Sequence, residues 1–479
     1  MDAKDFVIKV GPNGTFRPSG SYQTLPEHLD SIFMKYKNAN VKKITIYFHG
    51  GLVNENSGME IAYKMANHFI EVGQTPLCFV WETGLLDSFA MNLRSIAGTE
   101  LYTKIVKVLV KKLSEKLGFG ILRGRGLGEP LTDAYIEQEL NNVSPFSEYR
   151  FQNLGARGAE AIQSIPKDEN SFKQSLEADF YFLISSDIKF EEEINRTPFS
   201  VNNNQSTQSR GVISIAFLVT HLANIAFNVI KRFINKRDHD FFPTIVEEIL
   251  RELYIADIGA HVWNNMKIKS EDMWKDNNGF KGLNTHAGRY LLEKLFEFVN
   301  NNNVEVNLIG HSAGSIAICN MLHASCKTFP SLIFNNIIFM APACRIDLFH
   351  REVVKYPSRF KKFRMFTMKN EYEVKDNLVA YFYTHSLLYF ISGILENDGN
   401  DFDSYILGLD RHISNIPPYD NEAILKETNN YLFVDGLNRV IYSRSDKNAI
   451  DGLNSFSVSH GGFDDDIPGT IDSIKYILK

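Results

Sequence analysis

Apolar and polar positions follow two periods along this chain, and the switches between them outline its elements. From Val41 to Trp81, a short β-branched run, Ile44–Phe48, is followed by a helical pattern over Gly58–Val72 and a second apolar run, Leu77–Trp81. Two apolar runs flanking a 3.6-residue period predict a βαβ unit. After a long gap the pattern resumes with a helix over Ala287–Val299, a strand over Val304–Ile309, a helix over Ser315–Ala324, and strands over Asn336–Met340 and Arg364–Met368. Strands separated by helices at this spacing predict a mostly parallel sheet covered on both faces, with any active site beyond the carboxyl ends of the strands.

Two stretches interrupt the series, Gly84–Asn284 and Asp376 to about Arg439, and both are too long to be plain loops. The first carries helical patterns over Phe89–Leu117, Gly211–Phe233 and Pro243–Met266, with a polar segment, Asn195–Arg210, that reads as a mobile linker. The expected organisation is a core from residues 1–83 and 285–479, holding a smaller insertion at about 376–440, and a helical cap from residues 84–284. A chain of 479 residues exceeds what one simple core supports, which agrees with this division. The glycine-dense Gly118–Gly128 lacks a preceding strand and reads as a turn, not a nucleotide loop.

Composition narrows the function classes. The chain is 44% hydrophobic and 23% charged, an ordinary globular balance, and its net charge of -6 gives no general electrostatic support for a nucleic-acid partner. Its four cysteines form neither a disulfide framework nor a C-x-x-C pair, so they read as core thiols of a reducing compartment. Met1-Asp2-Ala3-Lys4-Asp5 lacks the basic and apolar regions of a secretory signal, and the expected location is cytoplasmic.

The candidate chemistry sits at strand ends. Gly310-His311-Ser312-Ala313-Gly314 lies between the run Val306–Ile309 and a helical stretch beginning near Ser315. By itself G-x-S-x-G is a weak signal, but between a strand and a helix it reads as a nucleophile elbow, whose glycines spare the strained turn a collision. The strand Ile44–Phe48 ends in His49-Gly50-Gly51-Leu52, a turn that could aim the N–H groups of Gly51 or Leu52 at a reacting oxygen, with the Ala313 N–H as the second donor. His460, in Ser459-His460-Gly461-Gly462, is the candidate general base, because imidazole titrates near neutrality. His311, His385 and His49 are poorer candidates, being next to the serine, inside a helical pattern, or in the oxyanion turn.

These motifs resemble the α/β-hydrolase superfamily, particularly lipases and esterases with a Gly-His-Ser-x-Gly elbow and a His-Gly oxyanion turn. The resemblance covers Val41–Gly84 and Ala287–Lys479 without the second insertion. It implies an α/β-hydrolase fold with an eight-stranded, mainly parallel sheet flanked by helices, here with a large helical cap insertion, and an acid in the loop after strand six or seven. Counting about three residues past Met368 then selects Glu371, with Asp376, Glu373 and, more weakly, Asp347 as alternatives. The implied activity is a serine hydrolase cleaving a carboxylic ester of a lipid or other small acyl compound through Ser312, His460 and Glu371, with no metal or cofactor. A serine peptidase or acyltransferase would use the same residues, and a non-catalytic membrane- or partner-binding protein on the same fold is the rival of a different class.

The most apolar stretch, within 211–233, is long enough to span a bilayer, yet Ser214, His221, Asn224 and Asn228 fall on one helical stripe. That stripe suits a buried cap helix, or one making peripheral membrane contact, better than a lipid-embedded span.

Overall fold

Seven strands among the described residues form one sheet in which every pairing is parallel: β1 (Val7–Val10), β2 (Lys43–Phe48), β3 (Thr75–Trp81), β4 (Glu305–His311), β5 (Phe334–Met340), β6 (Phe360–Met368) and β7 (Val440–Ser443). The computed structural model describes residues 1–479 except 82–85, 120–130, 150–167, 188–189, 191–197, 200–210, 213–214, 256–257, 259, 397–401 and 447–448. Most of Gly118–Gly128, most of Asn195–Arg210, and Ser214 therefore lie outside the described residues.

The strand order is β1-β3-β2-β4-β5-β6-β7, an α/β architecture with seven strands where the family resemblance implied eight. From β2 the chain moves outward on one side through β3, and from β4 it moves outward on the other through β5, β6 and β7. The carboxyl ends of β2 and β4 thus flank the point where the order reverses, the usual crevice of open parallel sheets. Their register places Phe48 opposite Gly310, which brings the turn after β2 beside the turn after β4.

Both faces of the sheet are covered, as the unbroken apolar runs of the central strands require. On one face α1 (Glu55–Ile70) packs Ala62, Met65, Ala66 and Phe69 against Tyr47, Ile309, Ile338 and Phe366, joined by Ile474 and Leu478 from the last helix. On the other, α2 (Gly314–Thr328) approaches Gly310 through Ile318, while Trp274 leans on Phe48 and Phe79. Strand β1 has no counterpart in the predicted elements because Lys9 interrupts its apolar run. The lysine is nevertheless 2% exposed, its ammonium 3.0 Å from Glu55.

The chain divides into two units. Unit 1 comprises Met1–Leu86, His261–Asp376 and Tyr405–Lys479, and unit 2 comprises Asp87–Ala260 and Asn377–Ser404. The helical unit thus ends at Ala260 instead of near 284, and it takes only Asn377–Ser404 from the second expected insertion. Two expected helices are split. Phe89–Leu117 breaks into Leu86–Ala97 and Glu100–Lys116, because Thr99 caps the second by accepting from the Tyr102 N–H. Pro243–Met266 breaks into Phe241–Leu253 and Ala260–Asp272.

Within unit 2, the apolar helix runs from Ile215 to Ile234 and is long and apolar enough to cross a membrane, but 61% of that stretch is buried. Leu218, Leu222, Ile225 and Val229 belong to its buried side. His221, Asn224 and Asn228 form the partly exposed side, where Glu252 receives both His221 Nδ1 at 2.6 Å and the Asn224 amide at 3.2 Å.

Candidate active site

Ser312 follows β4 directly and has a φ of 50°, in the left-handed region that side chains rarely occupy. Hydrogen bonds from the neighbouring elements hold this conformation. The Ser312 N–H donates to Met340 O at 2.8 Å, and the Ser312 carbonyl accepts from the Ala343 N–H at 3.1 Å and from Ser315 Oγ at 2.6 Å; Ser315 Oγ in turn accepts from the Cys344 N–H at 3.1 Å. The flanking glycines are steric necessities. A Cβ at Gly310 would stand 2.8 Å from the Gly314 carbonyl carbon, and one at Gly314 would stand 2.3 Å from Phe48 O. The elbow can therefore form only where β4, α2 and β2 pack without side chains at these two positions.

The turn after β2 lies against the elbow. A Cβ on Gly50 would meet Ser312 Cβ at 3.3 Å, one on Gly51 would meet Ala313 Cβ at 3.1 Å, and Leu52 has a φ of 58°. The main-chain N–H groups of Gly51, Leu52 and Ala313 donate to no other group among the described residues. Ala313 is also the N-cap of α2, where the aligned peptide dipoles favour negative charge. His49 stiffens this turn. Its Nδ1 donates to Gly50 O at 2.7 Å, and its Nε2 accepts from the Trp81 N–H at 3.3 Å, so it bridges the ends of β2 and β3. Burial, opposed by the bond to Gly50 O, pulls its pKa down to about 4 and keeps the ring neutral.

His460 comes from a short turn, His460–Gly462, and is 6% exposed. Its Nε2 lies 2.8 Å from Ser312 Oγ, the geometry of a base accepting the serine proton. Burial, reinforced by the nearby His311, lowers its pKa to about 3, so the imidazole is neutral across the ordinary pH range. Its Nδ1 is buried without a hydrogen-bond partner, a loss of about 1–3 kcal/mol at a typical buried polar atom.

Two residues hold the main chain of His460 instead of its ring. The His460 N–H donates to Asp376 Oδ2 at 2.6 Å, and His311 Nε2 donates to His460 O at 3.0 Å. Among the candidate acids, Asp376 is thus the one brought to His460. Burial raises its carboxyl pKa, against the lowering effect of the His460 N–H. Glu371 is exposed, Glu373 is buried in the turn after β6, and Asp347 is exposed and paired with Arg345 at 3.0 Å. The count from Met368 misses Asp376 because a helical turn, Asn370–Glu373, takes up the first residues of that loop. The roles of His311 and Ser315 have no sequence signal beyond their place beside the elbow.

Among the described residues, no group of three or more His, Cys, Asp or Glu side chains is arranged to hold a metal ion. No protein-family model matches the chain, and neither a curated protein nor a solved structure matches it.

Proposed function

We propose that this protein is a serine hydrolase of the α/β-hydrolase kind, cleaving a carboxylic ester through an acyl-enzyme. The reading is carried by one observation: Ser312, strained on a strand-to-helix turn, presents Oγ 2.8 Å from His460 Nε2. Ser312 Oγ attacks the acyl carbonyl as His460 Nε2 takes its proton; the imidazolium then protonates the departing alkoxide, and water repeats the sequence to free the acid. The developing oxyanion is held by the N–H of Ala313 and that of Gly51 or Leu52. Asp376 and His311 are positioning residues, fixing His460 through its main chain. Lipid or other acyl esters are the leading substrate class, a choice that rests on the apolar character of the helical unit. Peripheral membrane contact through 211–233 belongs to the same proposal.

The partnerless Nδ1 of His460 favours a second reading, a non-catalytic binding protein on this fold, because a triad acid would sit at that atom. The deciding experiment is hydrolysis of p-nitrophenyl esters of increasing chain length, run beside Ser312→Ala and with fluorophosphonate labelling of both proteins. Turnover and labelling that vanish in Ser312→Ala support the hydrolase. Turnover that survives the substitution sinks the assignment of Ser312, and absence of both turnover and labelling in the native protein favours the binder.

A further inference from the structure

A cavity of about 270 Å³ lies at the opposite end of the sheet from Ser312, lined by Lys361, Lys362, Arg364 and Arg439 together with Phe360, Phe363 and Leu437. The elbow is level with Met340 of β5, which pairs with Phe366 of β6. The residues of β6 that line the cavity lie two to six positions earlier, about 7–20 Å away along the strand at about 3.3 Å per residue.

Its charge is unusual for this chain. The protein carries a net charge of -6, yet four of the nine residues that line this space are cationic and none is acidic. Among the described residues, none of the four forms an ion pair with an Asp or Glu. Arg364 donates from Nη1 to Asn438 O at 2.9 Å; Arg439 donates to Tyr431 O and stacks with its guanidinium carbon 4.0 Å from the Tyr431 ring centre. These bonds to carbonyls orient the guanidinium groups without neutralising them, and burial depresses the Arg364 pKa with no anion opposing it. Lys361 and Lys362 are exposed and, as consecutive residues of β6, leave the strand on opposite faces beside the cavity.

The sheet edge adds neutral donors. Strand β7 begins to pair with β6 only at Met365, whose N–H donates to Arg439 O. Alternate residues of a strand turn their N–H groups to the same side, so those of Phe363 and Lys361 face this edge beyond the start of β7. Charged forks, flexible ammonium groups and unclaimed main-chain N–H groups around one concavity make a phosphate-binding environment. Phe360, Phe363 and Leu437 form an apolar wall beside it.

The geometry points to a binding site for a phosphate-bearing ligand with an apolar or aromatic portion, held by Lys361, Lys362, Arg364 and Arg439 and separate from the Ser312 site. The adjoining cavity of about 260 Å³ shares Lys362 and Arg364 but adds Asp451, which makes it the poorer anion site. This assignment does not depend on the protein being a hydrolase.

The test is calorimetric titration of the full chain with inorganic pyrophosphate, and in parallel cosedimentation with phosphatidylcholine vesicles with and without phosphatidic acid. The variants are Lys361→Gln/Lys362→Gln, Arg364→Gln and, as a charge-matched control, Lys281→Gln/Lys327→Gln; Ser312→Ala is included to keep the two sites apart. Binding is expected in the native protein and in Ser312→Ala, with affinity reduced about tenfold or more in Lys361→Gln/Lys362→Gln and in Arg364→Gln but unchanged in the control. Binding of pyrophosphate identifies a soluble phosphate compound, and binding only of the acidic vesicles identifies a lipid headgroup. Binding of neither probe, or an equal loss in the control, overturns the site.

Discussion

Each unit of this protein buries a polar cluster, and the two clusters treat charge in opposite ways. In unit 2, Arg232 is fully buried, with Nη2 2.7 Å from Glu247 and Nη1 3.0 Å from Glu248. Glu247 also receives His239 Nδ1 at 2.8 Å and the Tyr383 hydroxyl at 2.5 Å, while Arg237 pairs with Asp403. Burial alone would raise the Glu247 carboxyl, but the charges of His239 and Arg232 outweigh it and hold the pKa at about 2. The packing leaves no slack, since a Cβ on Gly393 would stand 2.4 Å from Glu247 Cδ. In unit 1, burial keeps His49 and His460 neutral, one ring nitrogen of His460 has no partner among the described residues, and Ser312 is held in a strained conformation. The unit 2 charges are paired with one another, although Arg232 Nη2, Glu247 Oε2 and His239 Nε2 lack a well-aligned hydrogen bond among the described residues; paired charge stabilises a fold, whereas an unpaired ring nitrogen beside a strained serine is available to a ligand or a reaction.

The sharpest break in this contrast comes from His460→Ala. It should lower ester turnover by about 10⁴-fold or more while leaving the melting temperature within a few degrees, since it removes the proposed base and an unsatisfied atom together. A variant that loses activity only because it unfolds would show His460 to be structural. The reverse is expected of Arg232→Ala, which strands Glu247 and Glu248 in the interior and should cost about 3–5 kcal/mol in a denaturant titration. Stability within 1 kcal/mol of native would mean that the cluster is solvated in solution.

Acid should separate the clusters next. His49 and His460 have folded-state pKa values depressed to about 4 and about 3, below the ordinary 6.5, so the unfolded chain takes up protons first as pH falls. The stability these neutral rings contribute is complete above about pH 6.5 and declines through the window down to about 4 and about 3. At pH 5 the loss is about 2 kcal/mol for each ring. Thermal melts of the native protein at pH 7 and pH 5, compared with His49→Gln, should show a smaller drop in the variant; an equal drop would place the titrating group elsewhere.

The smallest effects concern the acid. Asp376→Asn retains an oxygen to accept the His460 N–H and should lower turnover only about tenfold, while Glu371→Gln should change it less than twofold. A loss near 10⁴-fold in Asp376→Asn would mean that this carboxylate swings to Nδ1 during the reaction, as a triad acid does. That outcome would also raise the acid limb of the rate profile towards the ordinary histidine value, which a purely structural effect would not do.

The sequence by itself determined the elements whose requirements are local. The apolar runs of β2, β3, β4, β5 and β6 dictate buried parallel strands, and Gly310 and Gly314, spaced about Ser312, announce its turn because a side chain at either would clash, at Gly310 with Gly314 and at Gly314 with Phe48 O of β2. The glycines after His49 mark the second turn for the same reason. Only the tertiary structure decided the pairings between distant residues. Asp376 reaches His460 across 84 positions, His311 reaches it across 149, and Arg237 reaches Asp403 across 166. Such contacts depend on where each loop leaves its strand, and a carboxylate looks the same in sequence whether it ends in water, as Glu371 does, or against a buried main chain. Charge conceals burial in the same way: nothing in the sequence marks Arg232, Glu247, Glu248 or Lys9 as interior, because the partners that neutralise them arrive from elsewhere in the fold.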